Sequence, residues 1–304
     1  VTDDDFVIET DMVTKRFRGR TALSDCSLSV PRGRVAALVG PNGSGKTTLL
    51  RLLAGLSRPT TGRVSIFGQE LSTSNTELLA RVGYLDQERP LYPRWRVREI
   101  MEFARRINPA WDSELATRHL ALLDIDTDRR VKDLSGGQQA QVALAVCFAK
   151  RPDLVLLDEP ASSLDPVARQ DLLHNIAELF AERDASVLMA THAIADVAAI
   201  CDYVVILSHS RVVLSEDLDY VLESHRLLSR GADDGTTVPR GAVVIEERRA
   251  TREVTYLVRL AEPLERDGWR IERPTLDEIV IAYLREGQRS VHSSADVTAS
   301  KESW

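Results

Sequence analysis

The chain has 304 residues, with 39 lysines and arginines against 46 aspartates and glutamates, a formal net charge of -7. Its 43% hydrophobic and 28% charged residues fit a globular protein and exclude a disordered one, and the length allows one large domain plus a smaller one. The mild acidity argues against a generally basic nucleic-acid surface, and no run of 18 apolar residues offers a membrane span.

Phe6 to Thr10 and Met12 to Phe17 alternate partly and read as strands, as does Ala22 to Val30 before the turn Pro31-Arg32-Gly33. Arg34 to Val39 is short and nearly continuously apolar, the signature of a buried parallel strand. A glycine-rich loop follows, then helical character from Thr48 to Leu56 and a strand-like segment from Gly62 to Gly68. Residues 98–123 look helical, interrupted at Pro109 with a restart near Trp111-Asp112. Gln138 to Lys150 is an alanine-rich helix candidate. Leu154 to Leu157, Ser186 to Ala190 and Tyr203 to Leu207 read as strands, alternating with helices at Arg169 to Arg183 and His192 to Ile200. That alternation predicts an α/β domain with a mostly parallel sheet. Near Gly231 the texture changes: a loop ends one domain, Val243 to Glu247 and Glu253 to Leu260 form a small sheet, and Pro274-Thr275-Leu276-Asp277 opens a helix. The expected division is 1–230, 231–288 and a polar, serine-rich tail at 289–304. Cys26, Cys147 and Cys201 are far apart and read as buried thiols of a reducing compartment.

Gly40-Pro41-Asn42-Gly43-Ser44-Gly45-Lys46-Thr47 completes the pattern G-x-x-x-x-G-K-[ST] between a strand and a helix, followed by Thr48. The glycines let backbone N–H groups wrap phosphate oxygens, and the helix N-terminus adds favourable partial charge. Lys46 can bridge the β- and γ-phosphates, and the Thr47 hydroxyl suits Mg²⁺. The strand at 154–157 ends in Asp158-Glu159. There Asp158 can hold the metal through water, while Glu159 orients or deprotonates an attacking water. An acidic helix cap stopped by Pro160 is the alternative. His192, at the end of a third strand, can reach the γ-phosphate or that water; a structural histidine is the plainer reading.

From about residue 5 to 215 the chain resembles the ATP-binding subunit of ABC transporters. The resemblance rests on the phosphate loop with Lys46, on Gln87 in Gly83-Tyr-Leu-Asp-Gln87, and on Leu134-Ser135-Gly136-Gly137-Gln138, an intact family signature. Asp158-Glu159, Ser163-Leu164-Asp165 and Thr191-His192 follow in family order, and Phe17 sits where the family has an aromatic that stacks on adenine; a sheet-core residue is the alternative. The resemblance implies a P-loop NTPase fold: a mostly parallel central sheet, an antiparallel N-terminal β subdomain, a helical signature subdomain at about 88–150 and a small α+β C-terminal module. It implies ATP and Mg²⁺ as cofactors. Thr47, Gln87 and Asp158 would serve the metal, with Glu159, His192, Gln87 and Lys46 as the catalytic set. It also implies a composite site, in which Ser135, Gly136, Gly137 and Gln138 of a second subunit cap the nucleotide and Asp165 shapes the interface. A homodimer is the simplest arrangement, a heterodimer the other.

Three positions depart from the family pattern. Asp86 stands where many relatives carry proline, Gln141 stands at an often basic position, and Phe17 lacks a hydroxyl. The stretch Pro90-Leu-Tyr-Pro93-Arg-Trp95 is expected to line a groove for the membrane partner or simply to pack the helical subdomain. Residues 108–112 and 274–284 resemble subunits of export-type systems with separate six-helix membrane chains. The expected role is thus the ATPase motor of an exporter, peripheral to the cytoplasmic side of the membrane through its permease. A non-transport ABC ATPase, for iron–sulfur assembly or regulation, is the alternative.

Overall fold

The computed structural model describes residues 5–72, 75–88, 91–162, 164–181, 185–231, 238–261 and 268–286. The expected tail at 289–304 lies outside the described residues. Three sheets organise the chain. The first is antiparallel, in the order β2 (Arg20–Pro31), β1 (Phe6–Phe17), β4 (Thr61–Ile66), β5 (Gln69–Glu70). Bulges kink β1 and leave Met12 in the left-handed region, where sequence alternation suggests two strands.

The central sheet has six strands: β10 (Arg211–Asp217), β9 (Tyr203–Ser208), β3 (Val35–Val39), β8 (Ser186–Thr191), β7 (Leu154–Asp158) and β6 (Val82–Leu85). All pair in parallel except the edge strand β10, which returns antiparallel on β9. Its core strands are apolar because both faces are covered. Val35, Ala37, Val39, Val155, Leu157, Val187 and Met189 enter one buried cluster, while Ala36, Leu38, Leu154, Leu156, Leu188 and Ala190 enter the other. The second face is covered by α1 (Lys46–Leu53), with Leu49, Leu50, Leu52 and Leu53 buried, and by the first sheet.

The first face carries α5 (Gly136–Ala149), α6 (Pro166–Ala181) and α7 (Ile194–Ile200). A short α2 (Thr76–Ala80) precedes β6. The helical subdomain comprises α3 (Val97–Ile107) and α4 (Ser113–Leu122). The expected break between them is real: Asp112 caps α4 by accepting the Leu115 N–H at 2.9 Å. Gln141 is buried and its amide oxygen accepts from His119 Nε2 at 3.1 Å, so the departure from a basic residue serves packing inside the subdomain.

The C-terminal module begins earlier than the composition suggests. After α8 (Leu218–Ser224), β11 (His225–Gly231) already belongs to the third sheet, ordered β12 (Ala242–Arg249), β13 (Glu253–Leu260), β11, β14 (Arg270–Glu272). Gly231 therefore ends a strand rather than opening a linker. Nor is the module a loose appendage: Ile245, Leu257, Leu276, Ile279 and Val280 join the main core cluster. The final helix, α9 (276–286), carries Tyr283, whose hydroxyl donates to Nε2 of the fully buried His225 at 3.0 Å. The same ring donates from Nδ1 to Val221 O at 2.7 Å, which fixes its neutral tautomer. All three cysteines are free and buried.

Burial holds the imidazoles of His225 and His119 below the ordinary value of 6.5. A histidine whose folded value is depressed binds fewer protons folded than unfolded, so its contribution is complete above about 6.5 and is lost as pH falls below it. The thermal midpoint is therefore expected to drop on acidification below about pH 6.5, and to drop less in a His119→Asn/His225→Asn double variant. Equal drops in differential scanning fluorimetry would remove these histidines as the cause.

Candidate nucleotide site

The parallel register decides what meets at the edge of the central sheet. Val39 lies opposite Thr191, Asp158 opposite Ala190, and Leu85 opposite Leu157. The carboxyl ends of β3, β8, β7 and β6 thus deliver Gly40, His192, Glu159 and Gln87 to one line, where open α/β sheets bind ligands. The loop at 40–45 turns back so tightly that glycine is required. A Cβ on Gly40 would stand 2.3 Å from Leu207 O, and one on Gly45, which caps α1 at φ +115°, would stand 2.5 Å from Ala22 O.

A cleft of about 540 Å³ opens on this edge. Phe17, Asn42, Gly43, Gly45, Lys46, Thr47, Thr48, Gln87, Glu159 and His192 line it, all of them expected from sequence. Gly40, Pro41 and Ser44 are not among its lining residues; Lys46 Nζ donates to Gly40 O at 2.8 Å and to Pro41 O at 3.4 Å. Phe17 is half exposed at the lip, with the Lys15 ammonium 4.9 Å from its ring centroid, so it is not a sheet-core residue. Arg20 and Ala22 also line the cleft and were not expected. The available signal was their place in the hairpin after Phe17, where Phe17 pairs with Arg20.

Inside the cleft Glu159 joins two partners. Its Oε1 lies 3.4 Å from Lys46 Nζ, and its Oε2 accepts from His192 Nδ1 at 2.8 Å. Glu159 is buried and holds φ at +49°, a left-handed conformation for a non-glycine residue that its N–H bond to Ala190 O helps to fix. Asp158 is fully buried, with neither carboxylate oxygen hydrogen-bonded among the described residues; Ser44 Oγ is likewise buried without a partner there. Burial raises the Asp158 carboxyl, and the charges of Asp86 and Glu159 add to this against the neighbouring Thr47 and Lys46. Orphaned carboxylate oxygens beside a threonine hydroxyl are hard donors of the kind that bind Mg²⁺ together with phosphate and water. Among the described residues no group of three or more His, Cys, Asp or Glu is arranged to hold a metal ion.

His192 is braced from behind. Arg169 of α6 grips Asp196 of α7 through two bonds at 2.7 and 2.8 Å, and the same carboxylate accepts the Thr191 hydroxyl at 3.2 Å. Beside Gln87, Asp86 accepts from Arg51 and from the Tyr84 hydroxyl, each at 3.0 Å. Burial alone would raise the Asp86 carboxyl, but the Glu88 N–H, Arg51 and Tyr84 together lower it.

The signature residues do not enter the cleft of their own chain. Ser135 caps α5: its Oγ accepts the Gln138 N–H at 3.1 Å and the Gln138 side chain accepts the Ser135 N–H at 3.2 Å. Gly136 is exposed, and Gly137 packs toward Ala168. Asp165 is also outside, capping α6 through the N–H groups of Val167 and Ala168 at 3.0 Å. Ser163 lies outside the described residues.

Residues 23–162 match the family model described as ABC transporter. The ABC transporter ATP-binding protein YtrB of Bacillus subtilis is 31% identical over 219 residues, covering 72% of this chain and 75% of that protein. The chain belongs to the ABC transporter family. It carries that family's ATPase cassette. The Fe(3+) ions import ATP-binding protein FbpC of Pseudomonas fluorescens is 38% identical over 213 residues, 68% of this chain and 60% of that protein, so the chain spans only about three fifths of that relative. Among solved structures, the dimeric bacterial ABC transporter cassette MJ0796 superposes with a TM-score of 0.62 at 27% identity, covering 69% of this chain and 98% of that one. That match takes in almost the whole of the similar cassette and leaves about three tenths of this chain outside it.

Lys46→Ala removes the only lysine among the residues lining the cleft. A charge-assisted contact of about 2 kcal/mol corresponds to roughly thirtyfold weaker ATP binding. Calorimetry is expected to show at least that loss, and an unchanged affinity would remove Lys46 from phosphate binding.

Proposed function

We propose that this chain is the ATP-hydrolysing motor of a membrane transporter, working as a dimer of cassettes on a separate multi-helix permease. One observation supports the dimer above all: the cleft holds the reacting residues, while the signature at 135–138 caps an exposed helix end outside it. A second copy placed head to tail would supply that helix end to the γ-phosphate, where backbone N–H groups and the helix dipole favour negative charge. The similar MJ0796 cassette is itself dimeric.

In this reading Phe17 stacks on adenine and the loop at 40–45 wraps the phosphates. Lys46 exchanges its carbonyl contacts for β- and γ-phosphate oxygens. Thr47, Asp158 and Gln87 would hold Mg²⁺, which when bound neutralises phosphate charge. Glu159 takes the proton of the attacking water, and His192, donating to its other oxygen, keeps that carboxylate aimed. ATP favours the closed dimer because the γ-phosphate touches both subunits, and hydrolysis removes the preference.

The permease is read from the surface formed by residues that follow Gln87 in sequence. Tyr92 and Trp95 stack at 4.6 Å, Trp95 meets Phe103 edge-on at 5.6 Å, and both Tyr92 and Phe103 are exposed. Pro90 lies outside the described residues. This aromatic row supports a docking partner over a free-standing iron–sulfur or regulatory ATPase. Among the described residues no helix is long and apolar enough to cross a membrane, so the membrane contact is assigned to the permease, on the cytoplasmic face where ATP is found. The closure cycle has no inherent direction: the permease sets it. The outward direction rests on residues 108–112 and 274–284, while a relative such as FbpC is named for import.

Glu159→Gln keeps the shape of the side chain and loses its basicity. Turnover is expected to fall by about 10²- to 10⁴-fold with ATP binding retained. Size-exclusion chromatography with ATP is expected to show that variant as a dimer, and adding Ser135→Arg to return it to monomer. A Glu159→Gln protein that stays monomeric with ATP bound would overturn the composite site.

A further inference from the structure

Asp86 brackets the glutamine. Its Oδ2 accepts from Arg51 Nη2 and from the Tyr84 hydroxyl, each at 3.0 Å, and its Oδ1 accepts the Glu88 N–H at 3.1 Å. The carboxylate therefore fixes the backbone on both sides of Gln87, and its side chain is only 18% exposed. Arg51 belongs to the last turn of α1, the helix whose first residues are Lys46 and Thr47. Through this ion pair the glutamine segment and the phosphate-loop helix are held as one body.

The position also has two sides. Gln87 lines the nucleotide cleft, while Asp86 lines a second cleft of about 320 Å³ with Leu56, Leu85, Leu91 and Val146. Adjacent residues thus face two different clefts. A proline at position 86 would stiffen the backbone but offer no acceptor to Arg51, Tyr84 or Glu88.

We propose that Asp86 is a positioning residue: through Arg51 it holds Gln87 at a fixed depth in the nucleotide cleft. This rests on the ATPase reading above, because Gln87 acts there on the metal and water. A neutral or missing acceptor releases the segment while leaving the phosphate loop and Glu159 in place. The loss therefore falls on turnover and not on ATP capture.

The test uses the full chain with Asp86→Ala, Asp86→Asn, Arg51→Met and the Asp86→Ala/Arg51→Met double variant. Loss of one charged hydrogen bond is expected to lower kcat by about fivefold to tenfold in either alanine or methionine single variant, with KM for ATP changing by less than about twofold. The double variant is expected to match the worse single one, since both remove the same contact, and Asp86→Asn to fall between it and the parent. Amide hydrogen exchange gives a second reading independent of turnover: exchange at residues 86–88 is expected to rise in Arg51→Met while β8 stays protected. Unchanged kcat, fully additive losses or unchanged exchange at 86–88 would each overturn the proposal. A parent chain that binds ATP without hydrolysing it would overturn the ATPase reading instead, and the exchange measurement would still decide whether Arg51 holds the segment.

Discussion

The site depends on a register. Parallel strands buried on both faces cannot slide, because a one-residue slip would exchange every side chain between the two clusters that sandwich the sheet. With β3 locked to β8 and β8 to β7, the three carboxyl ends stop level. The phosphate loop, Thr191-His192 and Asp158-Glu159 lie at those ends or just past them. The apolar packing of Leu154 to Leu157 and Val187 to Ala190 is thus what places a carboxylate 2.8 Å from an imidazole and 3.4 Å from an ammonium.

That placement has an energetic cost which the nucleotide would relieve. Asp158 has no exposed surface and, among the described residues, no hydrogen-bond partner for either oxygen, and Glu159 lies in the left-handed region. Isolated from water, such groups destabilise a fold unless something completes them. The same features appear where they would help catalysis: burial sharpens the field at the phosphate end of the cleft, and the strained Glu159 backbone turns its carboxylate toward Lys46 and His192. The fold tolerates this strain because the six-stranded sheet and its two clusters over-determine the positions of the strand ends.

The parts legible in sequence are those where chemistry and pattern coincide. Residues 40–47 announce a phosphate loop by spacing alone, and the uninterrupted apolar runs before Gly40 and Asp158 mark their strands. The family resemblance carried the rest of the order. What pattern could not supply were edges and partners. β10, with Leu214 its only buried residue, gives no periodic signal because an edge strand needs no apolar alternation. β6 holds a glycine and a half-buried tyrosine within four residues, too short to declare a period. Gly231 suggested a boundary, but glycine also ends strands, and the third sheet had already begun at His225. Arg20 joins the cleft because the β1–β2 hairpin folds it over Gly43, where its guanidinium lies 3.5 Å from where a Cβ on that glycine would stand. Its place just after Phe17 in the hairpin is the one sequence signal of that approach.

Two carboxylates outside the cleft show how its movable parts are held. Asp196 binds Arg169 of α6 and the Thr191 hydroxyl, so the backbone preceding His192 is tied to a helix whose first turn is capped by Asp165. Asp86 ties the residue preceding Gln87 to α1 in the same way. In both cases an ion pair holds a carboxylate whose near neighbour in sequence, His192 or Gln87, lines the cleft. Asp196 is almost fully buried and its grip is bidentate, which makes that connection the stiffer one. Arg51 is half exposed and makes one contact to its carboxylate, which makes the glutamine connection the softer one.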